Sequence, residues 1–154
     1  PFFIYGEEPC YYTYYNRKKI GRVPALINHV DIAPTTLGLC DIDVPQWMEG
    51  TDYSFYRLPD KENTNEPDSA FIQSVVATGH PNSIDKPWRG LVTRSGWKYV
   101  CFENMPWLLF NLNEDPYEQV NLVHNGLYAD ERKKLHERLR GWISSTEDTF
   151  ALDN

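Results

Sequence analysis

The side chains able to do acid–base, nucleophilic or ligand chemistry are few and scattered. Four histidines stand at His29, His80, His124 and His136. None forms the HxH, HExxH or H-x3-H spacing that brings two imidazoles to one metal. Asp41 and Asp43 flank Ile42, a spacing that suits a metal pair, yet Cys40 to Pro45 reads more simply as a helix exit into a turn. No GxSxG, P-loop or GxGxxG occurs, so a nucleophile elbow and a phosphate-cradling loop are both excluded. Arg17-Lys18-Lys19 can hold an anion or form a solvated surface, and Trp47-Met48 can line a pocket or pack against a linker. The densest group is the loop from Gly79 to Arg89. There His80, Trp88 and Arg89 offer a titratable ring, a flat stacking surface and a fixed cation. Arg grips a sulfate or carboxylate with two hydrogen bonds, and Trp stacks on a sugar or aryl face. The structural alternatives are Arg89 paired with an acid across a sheet and Trp88 capping the core.

Such a loop needs a scaffold, and the second half of the chain supplies one. Ala70–Thr78, Arg89–Arg94, Trp97–Phe102 and Trp107–Leu112 read as four strands, with a tight turn at Ser95-Gly96 and a second from Asn104 to Pro106. A helix follows from about Ala129 to Ser145. Its Leu135, Leu139, Trp142 and Ile143 recur at i, i+4, i+7 and i+8, one apolar stripe, with Asp130 and Lys134 at i, i+4 on the polar side. His136 falls on that polar side and is expected in solvent. The stripe must cover something, and the meander is its natural partner. The expected fold is therefore α+β, a four-stranded antiparallel sheet packed with a C-terminal helix over 70–154.

The first half reads differently. Phe2-Phe3-Ile4-Tyr5 suits a strand buried on both faces, as in a parallel sheet. Cys10–Tyr15 is β-prone and Val23–Ile27 extended. A helix is predicted over 31–40, capped by Asp31, with Pro34 in its first turn and Ile32, Leu37 and Cys40 near helical spacing. Residues 1–56 thus form one piece, 57–69 a polar linker rich in turn formers, and 70–154 the other.

Composition limits the partners. A net charge of −7 argues against a general nucleic-acid binder, which needs a basic face. No apolar run approaches the ~18–20 residues that span a bilayer. Pro1–Tyr5 lacks the preceding basic region of a signal peptide, and a first residue other than Met leads to the expectation of a fragment or processed product. The 3 cysteines, Cys10, Cys40 and Cys101, lie far apart and form no CxxC, which argues against a zinc ribbon or a disulfide framework.

Two longer stretches carry a resemblance. His29-Val-Asp-Ile-Ala-Pro-Thr-Thr-Leu-Gly-Leu-Cys40, continued by Val44-Pro-Gln-Trp-Met-Glu-Gly-Thr-Asp-Tyr-Ser54, resembles the "VD-x-x-PT-x-L-x-L" helix and "P-x-x-x-x-G-x-D-x-S" loop of the sulfatase family. Trp88–Val100, then Leu109–Leu122 with its Asn113-Glu-Asp-Pro-Tyr-Glu-Gln-Val-Asn-Leu122, is similar to the ending of the same family, in the same order. The resemblance spans about residues 22–122. Pro1–Ile4 also resembles a stretch just beyond the family's catalytic half.

Sulfatases are similar to alkaline phosphatase, with a large α/β domain followed by a smaller subdomain of four antiparallel strands and a helix. The resemblance therefore implies that residues 1–56 are the last pieces of the α/β domain. It implies a sulfuric ester hydrolase using calcium and formylglycine, partnered by an N-terminal catalytic half and acting on a sulfate ester. The family's "C/S-x-P-x-R" nucleophile motif and "D-H-G" or "D-N-G" metal turn match no position here. No catalytic residue and no metal ligand is carried over, and this chain alone is expected to be inactive. His80, Trp88 and Arg89 remain the substrate-binding candidates. Two other readings stay open: a non-catalytic binding or structural module derived from a sulfatase, and a phosphohydrolase of the same superfamily.

Overall fold

The computed structural model describes residues 23, 25–58, 61–62, 66–76, 79 and 84–152. The expected strands at Phe2–Tyr5 and Cys10–Tyr15 and the Arg17-Lys18-Lys19 cluster lie outside the described residues. The chain divides into two compact units, Pro1–Pro67 and Asp68–Asn154.

In the first unit a 3-10 turn, His29–Asp31, runs into α1, Ile32–Leu39, and a second 3-10 turn spans Ser54–Tyr56. The cap differs from expectation. Asn28, not Asp31, starts the helical stretch. The Asn28 side chain accepts from the His29 N–H, and the Asp31 carboxylate accepts from the Asn28 N–H at 2.7 Å, a reciprocal box. The buried face is also different: Pro34, Thr35 and Gly38 are interior, whereas Ile32 and Cys40 are exposed. Small residues face inward because a loop approaches there. Asp41, at φ +57, ends α1 with the paired bonds Ile42 N–H to Leu37 O and Asp41 N–H to Gly38 O, so this segment is a helix exit.

The second unit is an antiparallel meander in the order β1 (Ser69–Ser74), β2 (Trp88–Thr93), β3 (Trp97–Phe102), β4 (Met105–Asn111). β1 stops at Ser74, short of the predicted Thr78, because Ser74 pairs with Trp88 and the partner strand begins there. β4 starts earlier than predicted and contains Pro106. A bulge at Val100/Cys101 and an edge position remove the need for a ladder N–H from Pro106. The β2–β3 turn uses Gly96 at φ +88, and the Thr93 hydroxyl accepts the Trp97 N–H at 2.9 Å.

A 3-10 turn, Gly126–Tyr128, leads into α2, Ala129–Ser145, with Asp130 and Glu131 at the positive end of its dipole. Leu135, Leu139 and Ile143 are buried and meet Phe71, Leu91, Tyr99, Cys101 and Leu109 from one sheet face. Trp142 sits at the rim, half-buried. Its ring stacks on Phe71 at 6.0 Å, and its Nε1–H donates to Ser69 Oγ at 2.9 Å. Lys134 pairs with Glu131 rather than with Asp130. His136 is not in solvent as expected. It is half-buried, and its Nδ1 lies 3.0 Å from the Tyr99 hydroxyl, because Tyr99 reaches the helix from the core and needs a partner. No helix among the described residues is long and apolar enough to cross a membrane.

Leu139 is fully enclosed, so Leu139→Ala should lower unfolding free energy by about 2–5 kcal/mol. Urea denaturation of the purified chain measures this, and an unchanged midpoint would contradict the packing of α2 on the sheet.

Candidate functional site

Trp88 and Arg89 are the first two residues of β2, and consecutive side chains of a strand leave opposite faces. The structure therefore does not bring them together. Arg89 points to the α2 face, between Cys101 across the ladder and Phe150 beyond the helix. Trp88 lies on the other face, opposite Phe102. His80 lies outside the described residues. Gly79 has a φ of +66, with open space where a Cβ would stand.

Arg89 is 5% exposed and fully engaged. Its Nε and Nη2 both donate to the Asp148 carboxylate, the latter at 3.1 Å. Its Nη1 donates to Ser74 O at 3.0 Å and Trp88 O at 3.1 Å. The Phe150 ring covers the guanidinium at 4.7 Å. This is the ion pair weighed against substrate contact, and a buried guanidinium so used has no fork left for a substrate oxyanion. The Arg89 hydrogen bonds hold the Asp148 carboxyl below the usual carboxylate range despite the opposing effect of burial.

The Trp88 face is aromatic. Phe102 and Trp107 stack at 4.5 Å, the Lys86 ammonium lies 5.9 Å from the Phe102 ring, and Met105 is exposed beside them in the ladder. Phe102, Trp107 and Lys86 were not legible as companions of Trp88 in the sequence. The cross-strand register that places Phe102 opposite it was the missing signal.

The remaining candidates are structural. Asp31, 5% exposed, accepts from the Thr51 N–H at 2.7 Å, and Thr35 Oγ1 accepts the Tyr53 N–H at 3.0 Å. Gly38 admits the Asp52 carboxylate, which accepts from the Ser54 N–H, and Lys61 bonds Gly38 O at 2.7 Å. These residues fasten the 50–54 loop onto α1. Ser54 Oγ is the buried side-chain oxygen left without a partner among the described residues. Trp47 is 79% exposed. In the second unit Asn121 accepts from the Leu109 and Val123 N–H groups and donates to Trp107 O, so its amide covers the edge of β4. Asp115 accepts the Val120 N–H at 2.8 Å, and backbone N–H groups of Gln119 and Val120 lower its pKa.

Among the described residues, neither Cys101 nor Tyr99 is set up as a nucleophile. Burial pushes the Cys101 thiol up to about 11 and raises the Tyr99 hydroxyl as well, so both stay protonated. Among the described residues no group of three or more His, Cys, Asp or Glu side chains is placed to hold a metal ion.

Residues 6–145 match the family model described as N-sulphoglucosamine sulphohydrolase, C-terminal. An ulvan-active sulfatase of Formosa agariphila is 31% identical over 138 residues, covering 88% of this chain and 26% of that protein. A solved 2-O GAG sulfatase superposes with a TM-score of 0.69 at 20% identity, covering 83% of this chain and 27% of its own. A protein solved with its substrate D-glucosamine-2-N,6-O-disulfate gives 0.61 at 23% identity, over 77% and 24%. The chain thus spans about a quarter of the length of the relatives it matches.

The depressed Asp148 carboxyl has a consequence for pH. A carboxylate stabilised in the fold contributes above its unfolded pKa of about 4, and that contribution is lost as pH falls through the lower folded value. Melting temperatures of wild type and Asp148→Asn should therefore differ most at neutral pH and converge below about pH 4. Curves that stay parallel down to low pH would contradict a charged Arg89–Asp148 pair.

Proposed function

The chain belongs to the sulfatase family, and from that premise we propose that the whole protein is a sulfuric ester hydrolase acting on a sulfated sugar. These residues are its C-terminal scaffold and one wall of the substrate pocket. The observation that carries the reading is the family match over residues 6–145, the same span in which the motif residues are seen holding loops to helix and sheet. The sugar class is supported by the neighbour that was solved with a disulfated glucosamine.

The wall would be the β1–β2 connection together with Trp88. Trp88 offers a flat ring at the mouth of the connection and Lys86 an exposed cation near it, the pairing that suits a sugar face carrying sulfate. His80 belongs to the same connection in sequence and is proposed as a further contact. Arg89 serves from beneath, by bonding both ends of the connection. Calcium and formylglycine, implied for the family, do not fit the described residues. The buried Cys101 lies outside a C-x-P-x-R motif and no acidic cluster is formed. Their chemistry is assigned to the catalytic portion of the whole enzyme. Trp47, Ile42 and Val30 leave apolar surface exposed on the first unit, and that portion is proposed to cover it.

Full-length protein should release sulfate from D-glucosamine-2-N,6-O-disulfate, and the 154-residue chain alone should not. Trp88→Ala in the full-length protein should raise KM severalfold, as loss of about 1 kcal/mol of ring contact implies. Release of phosphate from phosphate esters in place of sulfate would favour a phosphohydrolase, and no turnover of either ester would favour a non-catalytic module.

A further inference from the structure

The β1–β2 connection is tied at its base by Arg89, the second residue of β2. Arg89 Nη1 donates to the carbonyl of Ser74, the last residue of β1, and to that of Trp88, the first of β2. One guanidinium nitrogen thereby joins both ends of residues 75–87. Its other two donors reach Asp148, which is not in the sheet at all. Asp148 lies on the tail beyond α2, where Glu147 at φ +53 turns the chain and the Asp148 N–H bonds Ile143 O at 3.0 Å.

The tail is itself held in place. Asp148 Oδ1 accepts the Phe150 N–H at 3.0 Å, and Phe150 is buried in the core with its ring against the guanidinium. Ala151 O accepts the Asn104 N–H at 3.2 Å, which fixes the tail to the β3–β4 turn. Four donor contacts from one planar fork, at set angles, define a position that a lysine ammonium cannot reproduce. A plain stabilising ion pair needs only the two bonds to Asp148. The two bonds to the carbonyls of the connection are the part that an ion pair does not explain.

We infer that Arg89 and Asp148 are positioning residues: through the Arg89 fork, the tail after α2 sets the two strand ends, Ser74 and Trp88, between which the connection runs. Asp148 holds the guanidinium in plane, and the guanidinium holds the two strand ends that present Trp88. Neither residue touches substrate. The link from the connection to substrate rests on the reading under Proposed function, whereas the link from tail to connection does not.

Hydrogen exchange on the purified chain tests the second link. In Asp148→Asn and in Arg89→Lys, amides of residues 75–76, 84–86 and 88 should exchange about tenfold faster, while those of Leu91, Tyr99 and Val100 keep wild-type rates. Lys134→Ala, which removes a surface pair on α2, should leave the connection unchanged. Should either charge variant fold poorly, Phe150→Leu keeps both charges and removes the ring, and is expected to quicken exchange in the same segment to a smaller degree. Unchanged exchange in the connection, or a rise shared equally by β2, β3 and β4, would overturn the inference. In the full-length enzyme Asp148→Asn should raise KM while kcat stays within about twofold. Faster exchange with unchanged KM would uphold the latch and count against the connection as a substrate wall.

Discussion

A four-stranded sheet served by a single helix has one face that this helix can cover, and the apolar stripe of α2 decides which face that is. Leu135, Leu139 and Ile143 meet Phe71, Leu91, Tyr99 and Leu109, and the period of two then sends every alternate side chain the other way. Arg89 falls on the covered face by this rule and Trp88 on the opposite one. Much of what these two residues do follows from that division. A cation on the covered face must find partners, because leaving a buried charge unpaired costs more than the fold can spare. Asp148 on the returning tail and the carbonyls of Ser74 and Trp88 are those partners.

The family-like motifs serve a related need. Their polar residues satisfy backbone groups in loops that have no ladder or helix to bond. Asp31, Thr35 and Asp52 do this for the 50–54 loop, and Asp115 and Asn121 for the loop after β4. Loops held in this way can be long and still precise. The fold thus presents an ordered scaffold in which the recognisable residues are mostly builders.

The meander and the terminal helix were legible because their signals are strong: the Ser95-Gly96 turn between two β-prone runs, and the i, i+4, i+8 recurrence of Leu135, Leu139 and Ile143. What depended on a distant partner was not. Asp31 looks like an N-cap by local rules, yet one carboxylate oxygen serves the Asn28 capping box and the other accepts from Thr51, twenty residues away. Pro106 looks like a turn residue, yet a bulge on an edge strand accepts it. His136 looks exposed on a helical wheel, yet a core tyrosine hydroxyl reaches it. The candidate site shows the same limit most sharply. Starting β2 at Arg89 leaves Trp88 in the loop beside it, and a strand that begins one residue earlier puts the two side chains on opposite faces.

In the proposed function the Trp88 end of the sheet faces a sulfated sugar in the whole enzyme. Photo-crosslinking addresses it most directly, with a photoreactive phenylalanine in place of Trp88 in the full-length protein and D-glucosamine-2-N,6-O-disulfate as the probe. Leu127 makes a fair control, since it is 89% exposed and adjoins Tyr128, which packs on Trp97 at the far end of β3. Labelling is expected at position 88, suppressed by unlabelled sugar, and none at position 127. Equal labelling at both positions, or none at 88, would contradict it.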